Sequence, residues 1–173
     1  MQSGLKWGKS YNFETEYRLS AKMSFIGQFP VRLDAKNRAF MPASFRRLLQ
    51  QAGEQTLVVR KDYFENCLVV YPATQWRDEI AGVRARLNRF DGNQQMVYRK
   101  LVSEAQEVQL DSNGRLLLPK ALLDKVGIKQ DALFVGMEQT IEIWNPEVAA
   151  GSGQQPFMSD SEFADSLKKF MTE

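Results

Sequence analysis

Asp34 and Arg38 stand four positions apart, and Asp111 and Arg115 repeat the pair 77 positions later. Each pair lies in the same short phrase, "LDAKNRAFMP" from Leu33 and "LDSNGRLLLP" from Leu110. A carboxylate and a guanidinium so placed across a tight turn can do two things. The aspartate can hold the turn by accepting backbone N–H bonds and pairing with the arginine, a contact of about 0.2–1 kcal/mol. The arginine can instead offer its planar fork of donors to a phosphate outside the protein. Neither use is catalytic.

The rest of the composition also points away from catalysis. The 173 residues include no histidine, so no Ser-His-Asp triad, Cys-His pair or His-ligated metal can be built within the chain. No Gly-rich phosphate loop is present. Carboxylate chemistry is open, but no motif announces it. The expectation is no enzyme, no catalytic residue, no metal, no cofactor and no small-molecule substrate. The single cysteine, Cys67, lies in "NCLVVYP" and excludes an intrachain disulfide. A buried, inert thiol in a reducing cytoplasm is expected. No apolar run reaches the roughly 18 residues of a membrane span, and the N-terminus lacks the apolar stretch of a secretory signal.

Charge is divided along the chain. The net charge is +2, yet residues 24–90 hold 11 Lys+Arg against 6 Asp+Glu, and residues 91–173 hold 8 against 13. A basic first half suits an anionic partner such as nucleic acid; it equally suits attraction between neighbouring subunits.

Three-residue loops carry the two pairs. "FPVRLD" and "RAFMP" alternate apolar and polar residues, as half-buried strands do. A loop of this length often ends in a left-handed residue, a conformation that asparagine and glycine tolerate. Asn37 and Gly114 occupy that slot. Pairing the strands as a local hairpin sets Leu33 against Ala39, Arg32 against Phe40 and Val31 against Met41. Val31, Leu33, Ala39 and Met41 then face inward; Arg32, Asp34, Arg38 and Phe40 face out. The second copy buries Val108, Leu110, Leu116 and Leu118 and exposes Gln109, Asp111, Arg115 and Leu117. Pro42 and Pro119 fit helix starts. Two further strands follow each helix, "TLVVRKD" with "CLVVYP" and "ALFVGM" with "TIEIWNP".

The expected fold is therefore mainly β with flanking helices (α+β), built from two β-β-α-β-β repeats at residues 23–73 and 105–147. A helical pair over 74–104, broken at Asp91-Gly92-Asn93, links them. Residues 1–22 read as a disordered or non-native extension. Residues 148–173 read as a linker and a C-terminal helix, with Ser159 and Glu162 in a capping-box pattern and an apolar stripe of Phe163, Leu167 and Phe170.

This order of motifs resembles the MraZ family, carried by "FIGQFPVRLDAKNRAFMPASFR", "CLVVYPATQW", "QLDSNGRLLLPKALLDKVG" and "IEIWNP". The resemblance covers roughly residues 24–147. It implies AbrB-type swapped-hairpin repeats forming a double-split β-barrel with pseudo-two-fold symmetry. It also implies a cytoplasmic, nucleoid-associated transcriptional regulator of the bacterial division and cell-wall gene cluster. Such a protein binds short direct repeats in double-stranded promoter DNA as a homo-oligomeric ring, an octamer by resemblance, with no membrane partner. The family's Asp-x-x-x-Arg turn falls on Asp34 and Arg38, and again on Asp111 and Arg115; Asn37 departs from the glycine common there. On this reading Arg32, Lys36, Asn37, Arg38 and Arg115 are the DNA-binding candidates, and Asp34, Asp111 and Gly114 hold the turns. A non-DNA assembly module, or an antitoxin-like barrel, stands as the alternative.

Overall fold

The computed structural model describes residues 23–150 and 157–172. The expected 1–22 extension and most of the linker lie outside these residues. The first stretch of elements is β1 (Gln28–Arg32), β2 (Arg38–Phe40), α1 (Ala43–Gln51), β3 (Thr56–Lys61) and β4 (Cys67–Pro72). Two helices follow, α2 (Ala73–Arg86) and α3 (Gly92–Ser103), with the Asp91 side chain capping the second through Gln94 N–H. The order then recurs as β5 (Gln106–Gln109), β6 (Arg115–Leu117), α4 (Lys120–Lys125), β7 (Asp131–Met137) and β8 (Thr140–Trp144). A short α5 (Pro146–Ala149) and a final α6 (Asp160–Thr172) complete the chain.

The fold is mixed α+β with antiparallel sheets. Six strands run in the order β1-β7-β8-β4-β3-β5, and β2 and β6 form a separate two-stranded ribbon. The six-stranded sheet ends on β1 and β5, so it does not close, and the split barrel implied by the resemblance reduces to a mixed α+β fold with antiparallel sheets. The local hairpins are also corrected. β1 pairs with β7, placing Arg32 opposite Asp131, and β2 pairs with β6, placing Phe40 opposite Arg115. Only one bridge of the expected kind forms among the described residues, Leu110 to Leu116. Each turn closes, with Asp34 N–H donating to Arg38 O and Asp111 N–H to Arg115 O, both at 2.9 Å. Beyond the turn, however, the strands part and take partners from the other half.

The inward and outward sets survive this exchange because alternation depends on the strand itself, not on its partner. Leu33, Ala39, Met41, Leu116 and Leu118 are buried, whereas Phe40 and Leu117 are 56% and 55% exposed. The main core lies between one face of the large sheet and a layer of ribbon, α1 and α4. Phe45, Leu57 and Leu68 from the first half meet Leu122, Phe134 and Ile141 from the second. Neither half encloses this core alone. The opposite face of the sheet holds a smaller cluster of Val58, Cys67, Val69, Tyr71, Val135 and Trp144, against which Trp76 of α2 and Phe157 pack. Cys67 is fully buried, and desolvation pushes its thiol pKa up, so it stays protonated and inert.

Pro42 and Pro119 stand one position before α1 and α4, where a missing N–H costs nothing. Gly136 serves a different need. The chain before β1 crosses β7 so closely that a Cβ at Gly136 would lie 2.4 Å from the Phe25 carbonyl. Gly136→Ala is therefore expected to destabilise the protein by about 1–3 kcal/mol, the usual cost of overpacking. Urea unfolding followed by circular dichroism measures it; an unchanged midpoint contradicts the crossing.

Candidate nucleic-acid interface

The two turns share one construction. Asp34 Oδ1 accepts the N–H groups of Lys36 at 2.9 Å and Arg38 at 3.0 Å, and its Oδ2 accepts Arg38 Nε at 2.7 Å. Asp111 Oδ1 accepts those of Asn113 and Arg115, both at 2.9 Å, and its Oδ2 accepts Arg115 Nε at 2.8 Å. Asn37 and Gly114 carry the positive φ angles that loops of this shape require, 61° and 77°. Asparagine reaches that region at modest cost, which explains why it can stand where the second copy has glycine.

The electrostatics follow from these bonds. The Arg38 side chain, then the backbone N–H groups, hold the Asp34 carboxyl down to about 2. Asp111 is also lowered, first by the Arg115 backbone N–H and then by its side chain. Each arginine is thus oriented and largely neutralised by its own aspartate. A guanidinium has five N–H donors, and Asp34 engages Nε and one Nη of Arg38. Donors are left over on each fork.

The ribbon holds the turns at its two ends. Leu118 N–H donates to Asn37 O and Met41 N–H donates to Gly114 O, both at 3.0 Å. Four residues of extended chain separate these bonds, about 13 Å at strand rise. The outer face between them presents Arg38 opposite Leu117 and Phe40 opposite Arg115, with the Arg115 guanidinium 6.0 Å from the Phe40 ring centroid.

The remaining candidates divide. Lys36 is exposed at the first tip, and no carboxylate among the described residues pairs with its ammonium. Arg32 does not share the ribbon. It projects from β1, donates to Gln130 Oε1 at 2.9 Å and lies 4.0 Å from Asp131. Arg38 and Arg115 are instead both partly shielded, with 30% and 22% of their side chains exposed. The difference between the copies rests on Lys36 against the uncharged Ser112 and Asn113.

Sequence reading gave Arg46 no part in either turn. The Arg46 side chain lies across Gly114, where an added Cβ would come within 2.5 Å of its Cδ. The second turn therefore has a covering arginine from the other half. Nothing in the local sequence signals this, because the approach is made by a segment 68 positions away.

The carboxylate chemistry makes a checkable statement. A folded pKa of about 2 lies below the roughly 3.9 of an unfolded aspartate. The contribution of Asp34 is therefore fully present above about pH 4 and fades as pH falls toward 2. Asp34→Asn should be less stable than the parent at neutral pH, and the gap should close on acidification. Thermal unfolding across that pH range measures it; a gap that stays constant removes the ionised carboxylate as the cause.

Comparison with known proteins gives the chain a family. A family described as "MraZ protein, putative antitoxin-like" matches residues 24–100 and 101–148. A protein of Bacteroides thetaiotaomicron named transcriptional regulator MraZ is 44% identical over 149 residues, covering 86% of this chain and 93% of the relative. A protein of the same name from Phocaeicola vulgatus is 40% identical, covering 86% and 94%. One from Shewanella amazonensis is 36% identical over 121 residues, covering 70% and 79%. With matches of this extent, the chain belongs to the MraZ family.

Proposed function

We propose that the protein is a sequence-specific, DNA-binding transcriptional regulator, without enzymatic activity, that reads short direct repeats in a promoter. The reading carries over what its relatives are named for. The observation that supports it most is the pair of rigid, Asp-braced arginine turns at the two ends of one exposed β-ribbon. A two-stranded ribbon fits the major groove of B-DNA, which is about 12 Å wide. Bracing fixes where the spare guanidinium donors point before DNA arrives, so little rotamer entropy is lost on binding.

Arg38 and Arg115 are assigned to oriented hydrogen bonding, with Asn37 presenting the first tip. Lys36 supplies the unneutralised charge for phosphate, and Arg32 lies to one side for the flanking backbone. The first turn is therefore the stronger contact and the second mainly architectural. One turn with so little net charge binds weakly. A homo-oligomeric ring, of octamer size by family resemblance, would repeat it and engage several promoter repeats at once, raising avidity by about 10²–10⁴. In this reading the split-barrel halves are the ring's building blocks, the protein acts at the nucleoid in the cytoplasm, and its target is the division and cell-wall gene cluster.

Fluorescence anisotropy on a repeat-containing duplex tests this. The parent should bind with an affinity that falls steeply with salt. Lys36→Ala should flatten the salt slope by about 0.9 for each phosphate that its ammonium neutralises in the parent. Arg38→Ala should weaken binding more than Arg115→Ala does, with assembly intact in both. Absence of duplex binding at low salt would falsify the regulator reading and favour a module that assembles on protein. Equal losses from the two arginines would remove the asymmetry between copies.

A further inference from the structure

The helical pair builds a pocket that has no place in the interface just described. A recess of about 330 Å³ is lined by Arg84, Leu87, Arg89, Gln95 and Tyr98, drawn from the end of α2, the connecting turn and α3. Each polar side chain in this lining can donate a hydrogen bond, and none is a carboxylate. Arg84 Nε donates to Tyr98 Oη at 3.2 Å, and the Arg84 guanidinium lies 5.4 Å from the Tyr98 ring centroid. This contact fixes the fork and leaves both Nη groups to donate. The Tyr98 hydroxyl accepts that bond and so keeps its own proton to donate.

The turn that carries Arg89 is fixed by its own bonds. Asn88 N–H donates to Gln94 Oε1 at 2.6 Å, Phe90 N–H to Asn88 Oδ1 at 2.9 Å, and Gln95 Nε2 to Asn88 O at 3.3 Å. The charge in the recess is uncompensated. Among the described residues, no carboxylate pairs with Arg84 or Arg89. Asp91, close in sequence, has both oxygens engaged by Gln94, through its N–H at 3.0 Å and its Nε2 at 3.3 Å. Arg38 and Arg115 are each held by an aspartate; these two arginines are not. Two guanidinium groups lining one recess repel each other, and a bound anion reverses that cost.

Charge and shape together select the anion. Two cations balance a phosphomonoester, which carries close to two negative charges near pH 7, whereas each phosphate of a DNA backbone carries one. The recess is concave and lies within the size range of small-ligand sites, with Leu87 and the Tyr98 ring as an apolar wall for an organic body. A duplex backbone is convex and fits such a recess poorly. We propose that this recess binds a small phosphorylated molecule of the nucleoside monophosphate class, with Arg84 and Arg89 on the phosphate. Such a ligand joins α2 to α3 and stabilises the folded chain in proportion to its occupancy. The site goes beyond the reading above and uses none of its DNA contacts.

Isothermal titration calorimetry and thermal unfolding of the full chain test this, with adenosine monophosphate as the probe and sodium chloride holding ionic strength constant. The nucleotide should bind saturably and raise Tm; adenosine, which lacks the phosphate, should do neither. Arg84→Gln and Arg89→Gln should each weaken binding by about tenfold or more, the usual loss for a hydrogen bond to a charged group. Arg86→Gln changes an arginine two positions on, on the other side of α2 and outside the recess, and should bind as the parent does. Circular dichroism matching the parent in each variant separates a lost contact from a lost fold. Absence of saturable binding would overturn the proposal. Equal losses in all three variants would also overturn it, because they mark a diffuse charge effect with no defined pocket. Displacement of the nucleotide by a short duplex without promoter repeats would give the recess to a DNA backbone and overturn the small-ligand assignment.

Discussion

The fold hangs on two reciprocal backbone hydrogen bonds, Leu118 N–H to Asn37 O and Met41 N–H to Gly114 O. They fasten the exit of each turn to the strand leaving the other turn. Once β2 is committed to β6, β1 is free to join the large sheet beside β7. The same exchange draws Leu116 and Leu118 onto the layer that seals Leu33, Ala39 and Met41. Each half thus supplies part of the other's core, which is why two such short units can share one interior that neither could form alone.

That exchange also shapes the proposed interface. A local hairpin would project each turn separately, with Arg32 and Arg38 side by side. The exchanged ribbon instead places Arg38 and Arg115 on one outer surface and leaves Arg32 on a different sheet. The aspartates then limit how basic that surface is. Only Lys36 carries charge at a tip without a carboxylate partner among the described residues. The interface is consequently one of oriented donors, with modest net attraction. This physical weakness is what makes the proposed repetition across subunits a sensible complement.

Much of this was legible in the residues. The repeated phrase announced two equivalent turns, and the choice of Asn37 and Gly114 marked the left-handed position in each. Alternation separated Leu116 from Leu117 and Ala39 from Phe40 correctly, and Ser159 with Glu162 marked the last helix start. Asp91 marked the break between the linking helices. The absence of histidine removed whole classes of chemistry before any fold was considered.

Strand partners, closure and approach were not legible. A period of two says which side of a strand is wet, and it says nothing about which strand lies alongside. Choosing between β1 and β6 as the neighbour of β2 depends on whether the whole core closes, a cooperative and non-local quantity. The open edges at β1 and β5, the separation of Arg32 from the ribbon and the passage of Arg46 over Gly114 all follow from that choice. The sequence by itself determined the turns, the faces and the helix starts, because those arise from local sterics and hydrogen bonds within a few residues. The tertiary structure alone decided which halves exchange strands and which arginines share a surface, because those depend on contacts between segments far apart in the chain.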